Sequence, residues 1–209
     1  MKKGKLIVFE GTDGSGKATQ VKLLSEKVKI PHEVISFPRY GNNLHAEQAR
    51  IFLRGKKTKI SPKKIALDYA GDRKLAKSQI EKWLKDGRVV IADRYVSSSK
   101  AHLGALLQEF ERAEFIDWLD EMEYATNKVP REDLTIFLYV PPEISQKNII
   151  GRGKDILEKD LKYQKIASQV YLDLAKSQNW ITIFCVKDGK MRSKEEISRE
   201  IFDILSPHL

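Results

Sequence analysis

The stretch Gly11-Thr12-Asp13-Gly14-Ser15-Gly16-Lys17-Ala18-Thr19 carries the residue types of a phosphate-binding loop, spaced as GxxxxGK. Its chemistry is electrostatic. Glycines let successive backbone N–H groups converge on an anion, the following helix adds about half a positive charge at its N-terminus, and Lys17 adds a full one. Apolar Leu6-Ile7-Val8-Phe9 precede the loop as a strand, and the pattern predicts a helix from Lys17 onward. A chance glycine-rich turn does not explain strand, spacing, lysine and helix together. The position that usually supplies a Ser or Thr hydroxyl to Mg²⁺ is Ala18. Thr19 lies about 100° further round the helix and is expected to meet an α- or β-phosphate instead. A metal is therefore expected to be held by phosphate oxygens and waters, with no direct protein ligand.

A second group of chemistry-bearing residues, Asp93-Arg94-Tyr95, ends the apolar run Arg88 to Ala92, and Val96-Ser97-Ser98-Ser99 follow. A carboxylate ending a buried strand beside a phosphate loop can orient Mg²⁺ through its waters. An Asp–Arg pair at a strand end is also a common structural device, and these residues alone leave both readings open. Two further arginines stand in short motifs, Phe37-Pro38-Arg39 and Tyr69-Ala70-Gly71-Asp72-Arg73. Guanidinium forks suit phosphate and carboxylate oxygens. Arg73 is one helical turn from Tyr69 and shares its face.

These side chains need a frame. Lys5 to Glu10, Glu33 to Phe37, Arg88 to Ala92, Leu134 to Val140 and Ile181 to Val186 are nearly continuous in Val, Ile, Leu and Phe, as strands buried on both faces are. Between them, helical periodicity runs over Lys17 to Val28, Pro62 to Lys85, Leu106 to Glu123, Pro142 to Ile150, Asp155 to Gln178 and Ser193 to Leu205. Alternation of strands and helices predicts an α/β fold: three layers, with a five-stranded parallel sheet between helices. No repeat or linker divides the 209 residues, so one domain, 1–209, is expected. Ligands of such sheets bind at the carboxyl ends of the strands, where the motifs lie.

Composition narrows the function. Lys and Arg number 38 against 29 Asp and Glu, a net charge of +9; this points to a polyanionic partner or to a lysine-rich solvated surface. The densest cluster, Arg54 to Lys64, contains no aromatic residue and resembles a solvated connector more than a nucleic-acid surface. A single cysteine, Cys185, excludes an internal disulfide framework and fits a reducing, cytoplasmic setting. No apolar run approaches the roughly 20 residues that span a bilayer. Lys5 to Phe9 is too short for a secretory leader.

Taken in order, Phe9 to Lys17, Phe37-Pro38-Arg39, Tyr69 to Arg73, Asp93-Arg94-Tyr95, Ser98 and Leu134 to Glu143 resemble the thymidylate kinases along nearly the whole chain. That resemblance implies a P-loop nucleoside monophosphate kinase fold with a small lid, here about 151–160, and usually a homodimer. It implies phosphoryl transfer from ATP, with Mg²⁺, to dTMP. The loop 11–19 would then hold ATP, with Lys17, Asp93, Arg94 and a lid cation serving transfer. Phe37, Arg39, Tyr69, Arg73, Arg94 and Ser98 would hold the acceptor: Arg39 and Arg94 its phosphate, Tyr69 and Arg73 its base. Asp13 would approach the sugar or the metal's waters. The residues alone also allow Tyr69 as a core aromatic, Arg73 as a salt-bridge partner near Asp72, and Asp13 as an Asx turn.

The sequence departs from that family at three places. Gly14 follows Asp13, so no arginine stands beside the loop aspartate. In Gly151-Arg152-Gly153-Lys154-Asp155-Ile156-Leu157-Glu158, isoleucine replaces one expected lid arginine, which leaves Arg152 as the candidate cation, or a solvated helix-end charge, with Lys154 and Lys159 behind it. Ala101-His102-Leu103 stands where the family commonly has Ala-Tyr-Gln. His102 is expected to donate a hydrogen bond in place of tyrosine, or to be structural, and selectivity among pyrimidines is left open. The competing expectations are a relaxed pyrimidine monophosphate kinase, a deoxynucleoside kinase, which would not need Arg39, and a basic nucleotide- or nucleic-acid-binding module.

Overall fold

The computed structural model describes residues 3–55, 60–148, 157 and 160–209. The five apolar runs form β1 (Leu6–Glu10), β2 (His32–Ser36), β3 (Val89–Asp93), β4 (Leu134–Tyr139) and β5 (Ile181–Phe184). All pair in parallel, in the order β2-β3-β1-β4-β5. The register sets Phe9 beside Asp93, so the end of β1 and the end of β3 are neighbours although more than eighty residues separate them.

The continuous apolar character of the strands has a direct cause. Ile7 and Phe9 pack on one face with Val21 and Leu24 of α1 (Lys17–Lys27) and Ile197 and Ile201 of α8 (Lys194–Leu205). Leu6 and Val8 face the other way, onto Ala76, Ile80 and Leu84 of α3 (Pro62–Lys85). On that same face Phe137 of β4 stacks on Tyr171 of α7 (Leu161–Ser177), beside Ala101 of α4 (Val96–Gly104). Burying each such side chain is worth about 2 kcal/mol, and both sheet faces collect it. The three-layer α/β expectation is met. Among the described residues, no helix is long and apolar enough to cross a membrane.

Some expected boundaries move. α5 (Glu109–Asp120) starts where the Gln108 N–H meets the Glu111 carboxylate, later than Leu106, and continues as a π-helical segment, Glu121–Thr126. α7 begins at Leu161, where the Asp160 carboxylate accepts from the Tyr163 N–H and caps it, and the expected start at Asp155 lies outside the described residues. After Cys185 the expected last strand turns into an antiparallel pair, β6 (Val186–Lys187) and β7 (Lys190–Met191), with Asp188 and Gly189 both at positive φ, as a two-residue hairpin requires. α6 (Pro142–Asn148) lies within the expected span. Two helices were not expected: α2 (Leu44–Leu53), capped by the Asn43 side chain, and α4.

Candidate active site

The loop between β1 and α1 is built around glycine geometry. A Cβ on Gly11 would lie 2.7 Å from the Leu138 carbonyl oxygen, so no side chain fits there. Gly16, at φ 92°, is the N-cap of α1 and offers no side-chain cap, which leaves first-turn N–H groups for an anion. Lys17 folds back over the loop: its Nζ donates to the carbonyls of Gly11 (2.8 Å) and Thr12 (2.9 Å). Burial and then the Arg94 charge lower its pKa to about 8, against the pull of Asp13, Asp93 and Glu10. Thr12 and Ser15 are buried, whereas Ala18 and Thr19 are exposed.

Arg94 faces this loop from the end of β3. Its backbone sits at φ 68°, left-handed for a non-glycine residue, a conformation that costs about 1–3 kcal/mol and is held only where the surroundings demand it. The demand is visible. The guanidinium pairs with Asp13 through Nη2, and Nη1 reaches the Gly11 carbonyl, Ser98 Oγ and His102 Nε2. Burial would raise the Asp13 pKa, but Arg94 leads the nearby cations that lower it to about 2. The same carboxylate raises the Arg94 pKa despite its burial. Asp13 and Arg94 are both ionised at neutral pH.

His102 takes a different part from the one expected. Arginine can only donate, so Nε2 accepts from Arg94 and the ring proton lies on Nδ1, which donates to the Tyr163 hydroxyl at 3.0 Å. Burial, then Arg94, lowers its pKa to about 3, so the ring is neutral. Both nitrogens are engaged, and in this arrangement His102 orients Arg94 rather than offering a donor to a ligand. Ser98 is similarly occupied: its hydroxyl donates to Glu10 Oε2 at 2.6 Å.

Glu10, buried at the end of β1, was not foreseen as a site residue. Its Oε1 accepts from the N–H groups of Tyr95 and Ser98, and its Oε2 accepts from Ser98 and Tyr171. It therefore caps α4, whose own N-cap, Tyr95, has no suitable side chain. Asp72 does comparable work elsewhere. Its carboxylate accepts from the backbone N–H and Nε of Arg39 and from Asn43 Nδ2, the residue that caps α2. A charged residue ending an apolar strand, and an aspartate inside an arginine motif, were the signals available in the sequence.

A cavity of about 410 Å³ opens beside these groups and is lined by Asp13, Phe37, Tyr69, Arg73, Arg94 and Ser98, together with Pro38, Ser99, His102 and Leu103. Six of the expected acceptor residues thus line one cavity. Arg39 is not in the lining, although Pro38 and Tyr40 on either side of it are. Arg73 is no surface salt bridge: it is 2% exposed and pairs with Glu123. Asp93 ends β3 with its charge acting on Lys17 and Arg94. Among the described residues no group of three metal-ligating side chains occurs. Of the three carboxylates that act on Lys17, Asp13 pairs with Arg94 and Glu10 holds the start of α4, so Asp93 is the one that could face the waters of a metal carried on phosphate oxygens. Arg152, Lys154 and Lys159 lie outside the described residues.

Comparisons with known proteins identify the family. The family model for thymidylate kinase matches residues 9–201. A thymidylate kinase of Mycobacterium tuberculosis (strain ATCC 25618 / H37Rv) is 32% identical over 187 residues, covering 84% of this chain and 87% of its own. A probable thymidylate kinase of Methanocaldococcus jannaschii is 34% identical over 212 residues, covering 97% of each chain. Among solved structures, a thymidylate kinase from Candida albicans, described as having broad substrate specificity, superposes with a TM-score of 0.81 at 25% identity, covering 99% of this chain and 92% of that one. A family model that spans nearly the whole chain, relatives above 30% identity and a solved structure with the same sheet together show that the chain belongs to the thymidylate kinase family and has the P-loop nucleoside monophosphate kinase fold.

Proposed function

We propose that the protein transfers the γ-phosphoryl group of ATP to dTMP, giving dTDP and ADP, within the pathway to dTTP. The observation that carries this reading is the Arg94–Asp13 pair, which joins the phosphate loop to a cavity lined by apolar and aromatic groups and Arg73. A phosphate oxygen of dTMP attacks the γ-phosphorus in line, and the bond from that phosphorus to the β-bridging oxygen breaks. The acceptor is already anionic, so no general base is required. The protein supplies position and positive charge. Lys17 and the α1 N-terminus hold the transferring phosphates, Arg94 faces the acceptor phosphate, and Arg39, with Nε fixed on Asp72, completes that end. Phe37 and Tyr69 enclose the base. Mg²⁺, carried on ATP, would supply further neutralisation of phosphate charge, with Asp93 as its water-mediated contact.

The chain acts as one domain, 1–209, in which the segment 151–160 serves as the lid and Arg152 provides its cation. Its setting is cytoplasmic. It works as a homodimer through the outer face of α3, where Leu67 and Leu75 are 46% and 60% exposed, two turns apart. Light scattering in dilute solution is expected to give twice the 24.0 kDa chain mass; a value at the single-chain mass rejects the dimer.

A coupled ADP-release assay tests the activity. Turnover is expected with ATP and dTMP together and with neither alone; absence of dTMP-dependent ADP release rejects it. In the same assay, wild-type turnover in Arg152→Ala would remove that residue from the mechanism. A panel of dTMP, dUMP, dCMP and UMP bears on a second reading, a relaxed pyrimidine monophosphate kinase. The engaged His102 nitrogens favour that reading, since they leave no ring donor for the sugar. It is rejected if only dTMP is turned over.

A further inference from the structure

Arg73 lines the cavity as the candidate for facing the acceptor base, and what directs it is a residue that lines no part of that cavity. Glu123 is fully buried on the π-helical segment that ends α5. Its Oε1 accepts from Arg73 Nε at 2.8 Å and from Nη2 at 2.5 Å. Ser99 Oγ takes a further Nη2 hydrogen at 2.9 Å, and the Tyr95 carbonyl takes one from Nη1 at 3.2 Å. A guanidinium carries five N–H donors in a rigid fork. Four of the five are thereby tied, and one Nη1–H is left without a partner among the described residues, on a side chain that lines the cavity.

The segment that carries Glu123 is unusual in two respects. It is wound as a π-helix, a geometry found mostly as single turns and often at functional sites. It also keeps Glu123 in line with Phe115 and Leu119, the buried residues of α5. Glu123 Oε2 is buried and has no hydrogen-bond partner among the described residues. Leaving half of a buried carboxylate unsatisfied is costly. A residue serving packing alone would be apolar there.

We propose that Glu123 is the positioning residue for base selectivity: by holding Nε and Nη2 it turns the free Nη1–H of Arg73 toward the cavity. The inference rests on the reading of Arg73 as the base-facing arginine. The edge so presented can donate but never accept. A pyrimidine with a carbonyl oxygen at that edge is taken, and one with an exocyclic amine there is refused, because two donors would face each other in a dry site. Glu123 acts only through Arg73 and touches no substrate.

The test compares Glu123→Gln, Arg73→Ala and the double variant in steady-state kinetics with dTMP and dCMP. Glutamine keeps the shape but loses the charge and turns an amide toward guanidinium donors. Glu123→Gln is expected to raise the KM for dTMP about 10-fold and to lower the preference for dTMP over dCMP about 10-fold, with kcat and the KM for ATP within about twofold of wild type. The double variant is expected to be no worse than Arg73→Ala alone. Unchanged dTMP kinetics in Arg73→Ala would overturn the base-facing reading of Arg73, and this proposal with it. A defective Arg73→Ala beside a wild-type Glu123→Gln would overturn the assignment of Glu123 alone. A Glu123→Gln defect spread equally over kcat and both KM values would mark a structural residue, which also overturns it. If the glutamine variant does not fold, Glu123→Asp carries the same test. It keeps the charge but loses reach, so a several-fold rise in the dTMP KM alone is expected, and unaltered base selectivity overturns the assignment.

Discussion

Lys17→Ala is expected to lower kcat/KM for ATP by about 10³-fold while leaving the fold intact. Removing one preorganised charge that stabilises developing negative charge in a dry site typically costs 10²- to 10³-fold, and Lys17 brings a full cation to the transferring phosphates. The fold tolerates the change because Lys17 spans the loop without holding the sheet: among the described residues its Nζ donates to loop atoms, on Gly11, Thr12 and Ser15. The same lysine sets an alkaline limb. Its pKa is lowered to about 8 by burial and Arg94, so its charge is present below that pH and lost as pH rises through it. For wild type, kcat/KM for ATP should fall about tenfold per pH unit above 8, whereas kcat should hold further, since bound phosphates favour the charged form. A Lys17→Ala enzyme with wild-type kcat/KM would remove Lys17 from the transfer step, and a wild-type profile flat to pH 10 would show that its pKa is not lowered in the free enzyme.

Arg94→Ala is expected to cost about 10³-fold in kcat/KM for dTMP, with a smaller effect on ATP, because arginines that meet transferring phosphates are worth that much or more. It also removes the hub that joins Asp13, Ser98, His102 and the Gly11 carbonyl. Two physical readouts accompany the kinetics. The Asp13 carboxylate loses the partner that leads in lowering its pKa, so that pKa should rise from about 2. The His102 pKa, lowered to about 3 by burial and then by Arg94, should also rise, though burial keeps it below its ordinary value. Proton NMR titration of the imidazole measures this directly. An unmoved His102 pKa would show that the ring does not sense Arg94, and an unchanged KM for dTMP would show that Arg94 does not serve the acceptor.

What could be read in advance follows from how local each interaction is. The phosphate loop is nine consecutive residues whose function depends on glycine φ values and one lysine, so it was legible outright. Strands buried on both faces announce themselves by unbroken apolar runs. α4 was missed because Val96-Ser97-Ser98-Ser99 carries no helix signal of its own; its cap is the Glu10 carboxylate, from a strand more than eighty residues earlier. α2 was missed because its start depends on Asn43, which is itself steadied by Asp72 of α3.

The amino-acid sequence by itself determined the α/β class, the phosphate loop and the family, because these rest on residue types at short spacing. Only the tertiary structure decided the partner of each buried charge. The order β2-β3-β1-β4-β5 puts the end of β3 against the end of β1, and so gives Arg94 to Asp13. The packing of the π-helical segment on α3 gives Arg73 to Glu123, fifty residues away. The physical reason is the cost of burying an unpaired charge, about 3–5 kcal/mol when one partner of a fully buried pair such as Arg73–Glu123 is lost, and less for the partly exposed Arg94–Asp13 pair. That cost makes each pairing obligatory once the layers close, while spacing along the chain says nothing about which pairing it will be.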